Sequence, residues 1–131
     1  MTSVLFRFQS QHVVQVSEHQ LSNNDILVAD IGGTNARLAM AGDGEQDLHH
    51  VENYSCADFR SAVDLIRHYL GPDDRPSPQV MCLAAAGPVL NDSIQLTNSP
   101  WLIDAEEISA QFDSAQVFLL NDFDAIAYSL P

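Results

Sequence analysis

Three short segments carry side chains whose types suit phosphoryl transfer. Asp30-Ile31-Gly32-Gly33-Thr34-Asn35 lies between two apolar runs. Its paired glycines let the backbone take φ > 0 and let a phosphate approach the N–H groups. Thr34 adds a hydroxyl, and Asp30 a carboxylate able to hold a hydrated Mg²⁺. Because the segment joins strand to strand, it is neither GxGxxG nor GxxxxGK[ST], both of which open a helix. The same residues also suit a tight hairpin in which Asp30 and Thr34 merely satisfy the turn. Asn121-Asp122-Phe123 falls at the end of the last apolar run, and open α/β sheets bind ligands beyond the carboxyl ends of their strands. A carboxylate beside an amide there fits a base that takes the proton of a nucleophilic alcohol, although Asp122 equally suits the N-cap of a following helix. Leu96-Thr97-Asn98-Ser99-Pro100-Trp101 offers a hydroxyl, an amide and the single tryptophan for sugar recognition. The alternative is that Trp101 packs in the core while Thr97 and Asn98 hold the turn.

The remaining composition narrows the chemistry. The 131 residues contain 18 Asp plus Glu against 5 Lys plus Arg, a formal charge of −13. All five cations are arginines (Arg7, Arg37, Arg60, Arg67, Arg75), which excludes a phosphate-loop lysine, a Schiff-base lysine and a basic nucleic-acid stripe. Cationic help for a phosphate must come from backbone N–H groups, a divalent metal or protein outside these residues. Cys56 and Cys82 form no CxxC, and His12, His19, His49, His50 and His68 show no metal-ligand spacing. No stretch approaches the ~18 apolar residues of a membrane span, and the first residues do not resemble an export signal, so the expected location is cytoplasmic.

The elements that must position these groups follow from the apolar pattern. Residues 1–24 are set apart as an N-terminal extension of uncertain order, and residues 25–131 as the folded domain. Ile26-Leu27-Val28-Ala29 predicts a buried strand, residues 37–42 a second, and Leu48 to Tyr54 a third, together an antiparallel meander. Spacing from Phe59 to Leu70 predicts a helix, with Ser55 and Asp58 as its capping box and Gly71-Pro72 as its end. Val80 to Ala86 reads as a strand covered on both faces. Val89 to Thr97 reads as a hairpin around Asn91-Asp92-Ser93, and a short helix capped by Asp104 follows. Val117 to Leu120 is the last strand, and Asp122 onward reads helical. The resulting βββαβαβα order predicts an α/β ribonuclease-H-like domain: a mixed five-stranded sheet of three antiparallel meander strands plus two parallel strands, with flanking helices; a flavodoxin-like sheet is the rival.

Taken together, residues 27–39, Ala85-Ala86-Gly87-Pro88-Val89, Leu96-Thr97-Asn98 with Trp101, and Leu120-Asn121-Asp122-Phe123 with Ala125 and Ala127 resemble the bacterial glucokinase family. They occur in that family's order and spacing. Members belong to the superfamily of sugar kinases, actin and the heat-shock ATPases, in which two ribonuclease-H-like domains close over ATP, Mg²⁺ and sugar. The resemblance implies that Asp122 is the base for the sugar 6-hydroxyl and that Asn121 and Asn98 bind glucose. It further implies that Ala29, Asp30, Ile31, Gly32, Gly33 and Thr34 form a phosphate loop in which Asp30 faces the metal. The family's later adenosine motif and further sugar-binding residues have no counterpart here. The chain therefore resembles a small N-terminal domain whose C-terminal domain is missing, inactive alone, in a protein that could form a homodimer. Alternatives are a kinase for another hexose or an amino sugar, and a non-catalytic sugar-sensing regulator.

Overall fold

Residues 26–29 are apolar without alternation, as a strand must be when it is covered on both faces. In the computed structural model, which describes residues 3–8, 13–17, 26–41, 48–72, 75, 77–121 and 125–130, they open the middle strand of the main sheet. In chain order the elements are β1 (Ser3–Phe8), β2 (Val13–Ser17), β3 (Ile26–Ile31), β4 (Asn35–Ala41), β5 (His49–Ser55) and a 3₁₀ turn at Cys56–Asp58. There follow α1 (Ala62–Tyr69), β6 (Val80–Ala85), β7 (Val89–Leu90), β8 (Ser93–Gln95), β9 (Leu102–Asp104), α2 (Ala105–Gln111), β10 (Gln116–Leu120) and β11 (Ala125–Leu130). The main sheet has five strands in the order β10-β6-β3-β4-β5. β3, β4 and β5 are the antiparallel meander, and β6 and β10 run parallel to β3. This is the expected ribonuclease-H-like α/β architecture.

Strand alternation sends the apolar side chains to two faces. Leu27, Ala29 and Ile31 meet Leu38, Met81 and Leu83 on one face, where Leu65, Ile66 and Tyr69 of α1 and Ile108 of α2 cover them. On the other face Val28, Ala39, Cys82, Ala84 and Leu120 form a second, smaller cluster. Each large aliphatic side chain so buried is worth roughly 1.5–3 kcal/mol relative to exposure. Burial also pushes the Cys82 thiol up to about 12, so it behaves as a small apolar residue.

Local expectations fail at two places. Ser55 does not cap the helix: its side chain makes no capping bond, and the chain turns once in 3₁₀ geometry and becomes extended again at Phe59. The cap is Ser61, whose side chain accepts the Asp64 N–H at 3.1 Å. The expected helix after Asp122 is replaced at residues 125–130 by β11, which pairs antiparallel with β1, itself paired with β2. Ala125-Ile126-Ala127-Tyr128-Ser129-Leu130 alternates small or polar with large, which a strand can use once a partner edge is available.

A third sheet, β7-β8-β9, begins with the expected hairpin. Asn91 and Asp92 both have positive φ, 53° and 57°, as a two-residue hairpin turn whose twist matches its strands requires. Gly87 leads into it with no room for a side chain, since a Cβ there would lie 2.4 Å from the Gln95 carbonyl oxygen. Among the described residues no helix is long and apolar enough to cross a membrane.

Candidate functional site

The sheet register decides which loops can cooperate. Asp30 of β3 lies opposite Ala84 of β6, and Ala84 lies opposite Leu120 of β10. At a strand spacing of about 4.8 Å, Asp30 and Leu120 stand roughly 10 Å apart across the sheet. The segments that follow, Gly32 to Thr34, Ala86 to Pro88, and Asn121, therefore leave one edge of the sheet, at the carboxyl ends of its three parallel strands. Asn121 is exposed there and lines a cavity of about 520 Å³ with Pro88, Val89, Leu119 and Leu120. Asp122 lies outside the described residues.

The loop from Gly32 to Thr34 is tied at both ends. Gly32 N–H donates to the Asn35 carbonyl at 2.9 Å, closing the turn between β3 and β4. Cys56, just beyond β5, donates its N–H to the Thr34 carbonyl at 2.8 Å and its thiol to the Gly32 carbonyl at 3.4 Å. Neither glycine has φ in the left-handed region, contrary to the expectation from the sequence. Their need is closeness instead. A Cβ on Gly33 would lie 3.3 Å from the Asn98 Cβ and 3.4 Å from the Asn98 carbonyl oxygen, and one on Gly32 would lie 3.2 Å from the Asn35 carbonyl oxygen. The loop and Asn98 are thus in near contact although 65 positions separate Gly33 from Asn98.

Two cavities flank this loop. One, of about 400 Å³, is lined by Asp30, Gly32, Gly33, Thr34, Arg37 and Asn53 among others. Asp30, Arg37 and Asn53 are cross-strand neighbours on β3, β4 and β5, so a carboxylate, a guanidinium and an amide share one face beside the glycines. The other, of about 450 Å³, is lined by Gly33, Thr34, Cys56, Arg60, Asn98 and Trp101 among others. Trp101 is only 6% exposed and belongs to the core, so it meets this cavity as part of a packed wall. Thr97 donates both its N–H and its hydroxyl to the Ala86 carbonyl, which ties the Thr97-Asn98 loop to the end of β6. Asn98 is left exposed beside Gly33.

The described arginines divide by role. Arg67 donates to the Gln111 side chain at 2.7 Å and lies over the Phe112 ring. Arg75 donates to Glu52 at 2.9 Å and to the Tyr69 carbonyl at 2.6 Å, and lies over the Tyr69 ring. The hydrogen bond from Arg75 holds the Glu52 carboxyl below its ordinary range. Burial, reinforced by donation to Glu52, pushes the neighbouring Tyr54 hydroxyl up to about 12. Arg37 and Arg60 instead line the two cavities beside the glycine loop. No group of three or more His, Cys, Asp and Glu gathers among the described residues. Asp30 supplies one carboxylate beside backbone amides and the Thr34 hydroxyl. That donor set fits Mg²⁺, which keeps several waters and takes its other ligands from phosphate.

The structure brings Gly33 of the glycine loop beside Asn98; sequence reasoning overlooked Cys56, which has no sequence signature because its partner Gly32 lies 24 positions away. The glucokinase family model matches residues 27–131. The glucokinase of Colwellia psychrerythraea is 41% identical over 106 residues, covering 80% of this chain and 32% of that protein. The glucokinase of Chromohalobacter salexigens is 38% identical over 105 residues, covering 80% and 33%. The crystal structure of glucokinase from an Antarctic psychrotroph superposes with a TM-score of 0.67 at 38% identity, covering 78% of this chain and 33% of that one. The chain thus spans about a third of the length of the relatives it matches. By its sequence from residue 27 to 131 and by its fold, this chain belongs to the glucokinase family.

Proposed function

We propose that the protein carrying this chain is an ATP-dependent glucokinase that transfers the γ-phosphate of ATP to the 6-hydroxyl of glucose, giving glucose 6-phosphate and ADP. The observation that carries the proposal is the near contact of Gly33 with Asn98, which puts a backbone loop suited to phosphate and an amide suited to a sugar on one cavity. In this reading Ala29 to Thr34 cradle the phosphates through backbone N–H groups, and Asn98 and Asn121 hold sugar hydroxyls. Asp122 takes the proton of the 6-hydroxyl as its oxygen bonds to the γ-phosphorus and the bond to the leaving ADP oxygen breaks. Bound Mg²⁺, held through Asp30, supplies neutralisation of the phosphate charge in a chain with five cations against 18 acids.

The cavities beside the glycine loop also support the reading that a further domain covers this edge. Water left in an open site would hydrolyse ATP, so a C-terminal domain of the same protein closes over this edge, bringing the adenine pocket and the remaining sugar contacts. The expected setting is cytoplasmic. A coupled assay for glucose 6-phosphate on the complete protein with Mg²⁺-ATP tests the reading, run beside mannose, fructose and glucosamine. Glucose should give the highest kcat/KM, and the 131-residue chain alone should read background. A complete protein that phosphorylates another sugar in preference to glucose, or none, overturns the assignment.

A further inference from the structure

We infer that Cys56 is a positioning residue for the phosphate loop, clamping it by two hydrogen bonds so that the Gly33 amide faces the phosphate. The inference rests on the proposed function and extends it. The clamp is made from one residue: its N–H meets the Thr34 carbonyl at 2.8 Å and its thiol meets the Gly32 carbonyl at 3.4 Å. In a planar trans peptide the carbonyl and the next N–H point in opposite directions. Turning the Gly32 carbonyl toward Cys56 therefore turns the Gly33 N–H away from it, leaving that donor for a ligand. A thiol can do this only while protonated. Cys56 is 4% exposed, and burial pushes its pKa up from the ordinary value, so the S–H persists at neutral pH. Cys56 is held in turn by its place in the 3₁₀ turn that follows β5, where its carbonyl accepts the Phe59 N–H at 3.1 Å. The loop position is thus set by the meander's third strand as well as by the β3–β4 turn.

The test compares Cys56→Ala, Cys56→Ser and Gly33→Val in the complete protein, with thermal melts confirming that each is folded. Cys56→Ala should raise the KM for Mg²⁺-ATP about threefold to tenfold, the scale of one modest hydrogen bond, with kcat within about twofold. It should also speed amide exchange at Gly32, whose N–H closes the loop onto the Asn35 carbonyl. Cys56→Ser keeps a donor and should restore both to within about twofold. Wild-type exchange or wild-type KM in folded Cys56→Ala overturns the inference, and so does a serine variant as impaired as the alanine one, since that would make the thiol a volume filler. Gly33→Val separates the two levels. An unchanged KM for Mg²⁺-ATP in that variant removes the phosphate-loop reading itself, whereas a raised KM there with a normal Cys56→Ala removes only the role of Cys56.

Discussion

Adding a side chain at Gly33 should damage sugar phosphorylation in proportion to its size while leaving the fold intact. A Cβ at Gly33 would sit 3.3 Å from the Asn98 Cβ. Carbon atoms in comfortable contact are about 3.5–4.0 Å apart, so Gly33→Ala asks Asn98 to retreat by roughly half an ångström. Valine projects its γ-methyls a further bond length, about 1.5 Å, and the retreat then exceeds about 1 Å. Misplacing a substrate-positioning group by about 1 Å can cost about 10²-fold. The expected losses in kcat/KM for glucose are therefore about threefold to tenfold for alanine and about 10²-fold for valine. Stability should hardly follow, because Asn98 is exposed on a loop and can move. Gly33 is not in the left-handed region, so alanine adds no backbone strain and restricts the unfolded chain, worth about 0.4–1 kcal/mol in favour of folding. A coupled glucose 6-phosphate assay and a melting curve on the same preparation of the complete protein measure both. Folded Gly33→Val with wild-type kcat/KM would refute the claim that the Gly33–Asn98 contact belongs to the substrate site.

Two further perturbations probe the frame that holds this contact. Gly87→Ala places a Cβ 2.4 Å from the Gln95 carbonyl oxygen and 2.9 Å from the Ile94 Cγ2, and a strand backbone cannot yield as a loop can. It should cost about 1–3 kcal/mol in urea denaturation, and an unchanged midpoint would contradict the packing described. Glu52→Gln breaks the ion pair with Arg75, whose hydrogen bond lowers the Glu52 pKa in the folded state. A depressed carboxyl pKa stabilises above its unfolded value, about 4.3, and that stability is lost as pH falls through the lower folded value. With the Glu52 side chain 41% exposed, the variant should lose no more than about 1 kcal/mol at pH 7, and melts should converge with wild type as pH falls through the lowered folded value. A gap that stays constant over that fall would refute the linkage.

The main sheet was legible because its strands are marked locally. Ile26 to Ala29 and Val80 to Ala85 are apolar on both faces, and the double glycine and Gly87-Pro88 punctuate their ends. Capping was legible in kind but not in place, since Ser55 and Ser61 each stand three residues before an aspartate and only the second makes the bond. β11 was missed because its alanines favour a helix and its strand pairing depends on β1, over a hundred residues earlier. Within the candidate site, residue types singled out the glycine loop and Asn98 as candidates, and the structure places them side by side. The Cys56 clamp and the Asp30–Arg37–Asn53 row exist only through strand register, which no local spacing encodes.

In the proposed reaction Asp122 takes the proton from glucose in a site that this chain's loops share with the C-terminal domain. Substituting Asp122→Ala in the complete protein and following glucose 6-phosphate under saturating glucose and Mg²⁺-ATP tests it directly. Expected is a kcat lower by roughly 10²–10⁴-fold with the KM for Mg²⁺-ATP within a few-fold of wild type, since proton transfer is lost while the phosphate loop is intact. Near-normal turnover in the folded variant would contradict it and leave Asp122 without a catalytic role.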